Sequence, residues 1–229
     1  MPYYYNLDAF ALGFAREREF TLSYQNKSSI CFTLETDEES LKVYPFQFRF
    51  SVIYTLQQSQ LTTTYQVENT GVDMMYFSVG AHPAFAVPLV EETGFADYYL
   101  SFSHIETAPK WPLSSDGLLE SGPINFFDKT KLLPLTKELF YGDALVFKKL
   151  ASNSISIRSD RTKHGLTVRY EDFPYMGIWS ARNADFICIE PWCGIADSVL
   201  ANGDITLKEG INHLQPATIF TRNWSIEVF

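Results

Sequence analysis

The chain has 229 residues, of which 46% are hydrophobic, 20% charged and 16% aromatic, a usage that excludes a disordered polymer and allows a sizeable core. Lysine and arginine number 18 against 27 aspartates and glutamates, a net charge of -9 with no basic run, so neither nucleic acid nor an anionic membrane is an expected partner. The three cysteines, Cys31, Cys188 and Cys193, are an odd number without metal-ligand spacing, which points to reduced thiols, no metal and a cytoplasmic location.

The opening MPYYYNLDAF has neither the basic nor the apolar region of a signal peptide, and no apolar run long enough to span a bilayer follows it. Strands are then expected at Phe20 to Tyr24 and Ile30 to Glu35, with at most a helical turn over Asp37 to Lys42. In Pro45 to Leu56, Phe46, Phe48, Phe50, Val52 and Tyr54 share one parity while Gln47, Arg49 and Ser51 take the other. That alternation marks a strand with one buried face, and Leu61, Thr63, Tyr65 and Val67 repeat it beyond a polar hairpin at Gln57 to Gln60. The turn Asn69-Thr70-Gly71 leads into a strand over Met74 to Val79.

Irregular stretches punctuated by Pro88, Pro109, Pro112, Pro123 and Pro134 mark residues 84 to 135 as loops of the kind that carry binding sites, apart from a strand at Tyr98 to Ser103. A second helical turn is allowed within Lys131 to Leu139. Later strands are expected at Ser154 to Arg158, Leu166 to Tyr170, Met176 to Trp179, Phe186 to Glu190 and Thr218 to Phe229. Such spacing fits an all-β sandwich or barrel, and the lack of repeats or linkers makes 1 to 229 a single domain.

Two residues stand out as chemical candidates. His82, in Ser78-Val79-Gly80-Ala81-His82-Pro83-Ala84-Phe85, follows a strand, where a scaffold can hold an imidazole over a cleft; a histidine that merely bonds a loop reads the same way. Glu190 ends the apolar run Phe186-Ile187-Cys188-Ile189 and precedes Pro191-Trp192. Burying a carboxylate there is costly, so it calls for a task, with a pKa raised towards the range of a general base, or for a structural arginine such as Arg49 or Arg182. Asp143 and Asp197 are weaker candidates, and Asp197 reads as a turn former. Trp192, Trp179, Phe85 and Tyr175 offer flat faces for a sugar ring, although such aromatics are commonly core. No phosphate-binding glycine loop, nucleophile elbow or metalloprotease helix occurs.

VGAHPAF around His82 and CIEPWCGIAD around Glu190 resemble the two signature regions of the aldose 1-epimerase (galactose mutarotase) family, in its LacX-like branch. GFARE from Gly13, YPFQFRFSVIYTL from Tyr44, LFYGDALVF around Asp143 and FPYMGIWS from Phe173 extend the resemblance in order along the chain. It implies a large antiparallel β-sandwich of the supersandwich type and an isomerase of carbohydrate metabolism. Such an enzyme interconverts the α and β anomers of a free hexose without a cofactor. It also implies His82 as general acid, Glu190 as general base and Asp143 as a sugar ligand; Arg16, by its charge, and Trp192 and Phe85, by their flat faces, are taken as further substrate contacts. Two departures accompany it: Leu12 stands where the branch carries a histidine, and the Gly13 to Arg16 run comes without the strands that precede it in the family. Missing opening strands would leave edges that favour self-association. The alternatives to a mutarotase are a sugar-binding or regulatory protein that has lost turnover, and a hexose-6-phosphate epimerase in which Arg16 holds the phosphate.

Overall fold

The computed structural model describes residues 13–229, and Leu12 lies outside the described residues. Nearly all the regular structure is strand. The chain forms two compact units, one reaching to Ser78 and taking up Ala201–Asn223, the other made of Val79–Leu200 with Trp224–Phe229. Neither unit is a continuous stretch of chain.

In the first unit, Thr21–Gln25, Ser29–Glu35, Phe48–Gln57 and Gln60–Asn69 form an antiparallel meander. In the Gln60–Asn69 strand the alternation read from sequence follows burial, with Thr63, Tyr65, Val67 and Asn69 buried on one face and less buried neighbours between them; in Phe48–Gln57 it does not, because Ser51 is buried and Tyr54 exposed. Gln57 pairs with Gln60 across the expected hairpin. The helical turn is a true α-helix, Glu38–Val43, whose N-terminus is fixed by reciprocal hydrogen bonds between Asp37 and Ser40. Arg16 is exposed in the 3₁₀ turn Phe14–Glu17 of this unit.

The expected strand over Met74 to Val79 is interrupted at Ser78. Met75–Phe77 pairs with Asn212–Leu214, whereas Val79–Gly80 pairs with Cys193 and Trp192. Each piece therefore satisfies its backbone groups against a different partner.

The second unit contains two antiparallel sheets. In one, the end of Ile219–Val228 is followed by Thr162–Arg169, Ser154–Ser159, Tyr98–Glu106 and Thr130–Pro134. Residues expected to hold a helical turn thus begin as an edge strand with Pro134 at its end, and the 3₁₀ turn comes later at Lys137–Phe140. The other sheet orders Leu145–Phe147, Tyr175–Trp179 and Phe186–Cys193, then Val79–Gly80 and Ala84–Ala86 along the last edge.

Period-2 geometry divides this second sheet into two faces. Leu145, Phe147, Met176, Ile178, Ile187 and Ile189 share one face and are all at most 1% exposed. Phe127 stacks on Phe147 with ring centroids 5.1 Å apart and meets Phe102 of the other sheet at 5.0 Å, so this face belongs to the core. Burying a large apolar side chain contributes roughly 1.5–3 kcal/mol, which makes this face the anchor of the sheet. The opposite face carries Tyr175, Gly177, Trp179, Cys188, Glu190 and Trp192.

Candidate active site

His82 and Glu190, 108 positions apart in sequence, are brought together by strand register. Gly80 pairs with Trp192 and Ala84 pairs with Cys188, in one common register. The residue between them that faces Glu190 is His82. The ladder opens there: Ala81 N–H still donates to the Pro191 carbonyl at 3.0 Å, but Pro83 has no N–H to give. His82 is free of the sheet backbone yet held at both ends by it. Its Nε2 lies 3.4 Å from Oε1 of Glu190, with the imidazole side chain 36% exposed and the carboxylate side chain 5% exposed. The imidazole and the Trp179 indole meet edge to face at a centroid distance of 5.9 Å, and Trp179 in turn packs on Phe186 at 5.8 Å.

The carboxylate of Glu190 is buried by its strand neighbours. Desolvation is the largest influence on it and pushes its pKa from 4.5 up to about 7; the negative charge of Asp143 adds to the rise, while a hydrogen bond from the Trp192 side chain opposes it. Neither arginine suggested as a structural partner serves Glu190. Arg49 pairs with Glu35 and Glu68 at 2.7 Å each, and the Arg182 guanidinium sits 4.6 Å from the ring centre of Tyr141.

Trp192 is positioned by two glycines. It lies on the same face as Glu190, two residues along the strand, and packs against both neighbouring strands. A Cβ at Gly177 would stand 2.3 Å from the indole Cζ2, and one at Gly80 would stand 2.6 Å from Cδ1. Any larger residue at either place would lift the ring. The indole also packs, with Tyr175, Trp111 and Ala144, against the buried cluster of Leu119, Val146 and Ile195. One edge of the site is therefore apolar and flat.

Asp143 stands at the entry to the Leu145–Phe147 strand, exposed, at φ 93°. A non-glycine residue in that region is strained, by of order 1–3 kcal/mol, and such strain gathers at functional sites. Its carboxylate accepts a hydrogen bond from the Ala144 N–H at 2.6 Å, which holds the charge in place.

His82, Glu190, Trp192 and Asp143 thus converge. Phe85 does not join them: it pairs with Ile187, is 8% exposed and turns to the core face, while its neighbours Ala84 and Ala86 take the other side. Arg16 belongs to the first unit. Gly177 escaped sequence reading as part of the site, and Cys188 was read only as a reduced thiol although it shares the sheet face of Glu190. The visible signal was parity: Cys188 and Trp192 are each two residues from Glu190 and must share its face.

Comparisons with known proteins agree with this architecture. Residues 11–211 match the aldose 1-epimerase family model. Protein LacX of Lactococcus lactis subsp. lactis is 36% identical over 222 residues, an alignment covering 94% of this chain and 74% of that protein. A solved galactose mutarotase related enzyme from Lactobacillus acidophilus is similar at 35% identity and TM-score 0.87, over 95% of this chain and 73% of its own. A galactose mutarotase-like protein from Lactobacillus casei ATCC 334 gives 28% identity and the same TM-score, over 95% and 75% of the two chains. The fold is that of the galactose mutarotase-like all-β proteins. The chain belongs to the aldose 1-epimerase family.

Two predictions follow from the surroundings of Glu190. Because the Trp192 hydrogen bond stabilises the ionised carboxylate, Trp192→Phe moves the Glu190 titration upward from about 7, as read by carbon NMR of the side-chain carboxyl, and an unchanged or lower midpoint contradicts the contact. The second concerns stability. With its pKa raised in the native state, Glu190 keeps its proton there after the unfolded chain has released its own, so native stability falls as pH rises from 4.5 to about 7. At about 1.4 kcal/mol per pH unit the gap amounts to roughly 3 kcal/mol. Urea unfolding of Glu190→Gln against the parent shows this advantage for the variant at pH 8 and little difference at pH 4; equal stability at both values contradicts it.

Proposed function

We propose that this chain is an active aldose 1-epimerase that interconverts the anomers of a free hexose, with Glu190 as general base and His82 as general acid. The observation that carries the reading is the 3.4 Å approach of an exposed imidazole to a buried carboxylate on one sheet face. The hemiacetal oxygens O1 and O5 are bonded to the same carbon, so the groups that serve them must be near neighbours.

In the ring-opening direction, Glu190 takes the proton of the O1 hydroxyl and His82 gives one to O5. The C1–O5 bond breaks as the C1–O1 carbonyl forms, and the open-chain sugar carries the proton from His82 on its O5 hydroxyl. Rotation about C1–C2 then presents the other carbonyl face. Closure reverses both transfers: the O5 hydroxyl attacks C1 and returns its proton to His82, while O1 recovers its proton from Glu190. No proton is consumed and no redox partner or cofactor is required by this balance. A base whose pKa is raised to about 7 is matched to neutral pH, where it is ionised in a useful fraction yet strong enough to accept a proton.

Binding contacts are assigned on the same reading. Asp143 accepts a hydrogen bond from a sugar hydroxyl, and the half-exposed Trp192 offers its face to the apolar side of the pyranose.

The test is polarimetry of freshly dissolved α-glucose and α-galactose with and without the protein. Glu190→Gln keeps the shape of the side chain but cannot take the proton, so it slows the catalysed rate by at least about 10²-fold, the lower end of what positioned proton transfer contributes. Sugar binding survives, because a group acting only in proton transfer changes the rate constant rather than the affinity. Turnover by Glu190→Gln at the parent rate would make Glu190 structural, and sugar binding without any acceleration by the parent would make the protein a binder.

A further inference from the structure

The same face holds a third donor that the reaction leaves unused. Cys188 lies two residues before Glu190 on the Phe186–Cys193 strand, so both side chains leave the sheet on one side. It is buried, 1% exposed, and its partners across the two ladders are Ala84 and Trp179. A ring nitrogen of His82, Sγ of Cys188 and a carboxylate oxygen of Glu190 all lie within 4.8 Å of one another. The cysteines show no metal-binding spacing along the chain because this donor set is assembled by register, from a histidine on one strand edge and a Cys-x-Glu pair on the next.

We propose that His82, Cys188 and Glu190 form a three-donor site for a zinc-type divalent cation, and that an ion bound there blocks the sugar and inhibits anomerisation. Imidazole, thiolate and carboxylate together suit zinc, whereas magnesium and calcium want oxygen donors alone. Geometry favours it too. Tetrahedral zinc with N and O bonds of about 2.1 Å sets those two donors about 3.4 Å apart. The observed Nε2 to Oε1 distance is 3.4 Å. The longer zinc–sulfur bond of about 2.3 Å widens the edges to sulfur, so the Cys188 side chain must close the remaining gap by a small rotation. Three protein donors leave a fourth position, on the side where His82 is exposed. The thiol proton passes to solvent as the metal binds.

An ion held this way engages both lone-pair donors on which the proposed reaction depends. Inhibition therefore rests on the reading of His82 and Glu190 as acid and base, whereas metal binding does not.

The experiment uses the full chain freed of metal by a chelator. Cobalt(II) is titrated as a spectroscopic probe, zinc affinity is measured against a chromophoric chelator, and anomerisation of α-glucose is followed by polarimetry at each zinc concentration. One equivalent of cobalt gives a thiolate-to-metal charge-transfer band that Cys188→Ala abolishes. That variant, whose unaltered metal-free anomerisation rate reports an intact fold, loses zinc affinity and zinc inhibition by at least about tenfold, since loss of even an outer-shell partner of a metal costs about 10–100-fold. Absence of stoichiometric binding, or binding and inhibition unchanged in Cys188→Ala, overturns the metal site whatever the activity. A cobalt band that depends on Cys188 in a protein that accelerates no anomerisation upholds the metal site and overturns the catalytic reading instead.

Discussion

The register of the Phe186–Cys193 strand against residues 79 to 86 is the constraint on which the site depends. Gly80 opposite Trp192 and Ala84 opposite Cys188 leave one place for His82, over Glu190. A slip of one residue would turn every side chain of the strand to the other face, driving Glu190 into the core beside Ile178 and bringing Ile187 and Ile189 out of it. That register is held by the core rather than by the site. The apolar face of the sheet, from Leu145 and Phe147 to Ile187 and Ile189, is almost wholly withdrawn from water. His82 and Glu190 thus sit on the reverse side of a sheet face that is buried throughout.

The same burial gives the carboxylate its character. Water is kept from Glu190 by the strands on either side and by an indole that can lie flat only because Gly177 and Gly80 lack a Cβ. Desolvation and the Asp143 charge push the pKa up and the indole hydrogen bond pulls it back, leaving it near neutrality. Such a group destabilises the native state above that pH, and the strained backbone at Asp143 adds to the cost. Sites built for function commonly carry costs of this kind, offset by packing elsewhere.

Much of this was legible in the sequence, and what was not has identifiable causes. Alternation over Leu61 to Val67 gave a true strand with one buried face, whereas in Phe48–Gln57 Ser51 is as buried as Val52 and Tyr54 is exposed, so the strand is there but its expected single buried face is not. The cost of placing Glu190 in an apolar strand beside Trp192 likewise forecast a perturbed carboxylate, although the strand runs on past Glu190 to Cys193. Phe85 was offered as a flat face for a sugar ring, but it follows His82 by three residues, an odd offset that turns it to the core. Strands such as Pro109–Lys110, Ile124–Asn125 and Asn212–Leu214 are too short to display a period, and only their partners make them strands. The meeting of His82 with Glu190 and Cys188 is a property of long-range pairing, which local pattern does not encode.

The most direct test of the account is a crystal structure of the Glu190→Gln protein with a hexose bound. If register has built an acid–base pair for one hemiacetal, O1 of the sugar lies within hydrogen-bond reach of the residue 190 side chain, O5 lies within reach of His82, and the ring rests beside Trp192. A hexose bound elsewhere, or seated with O1 and O5 both turned away from these two side chains, would contradict it.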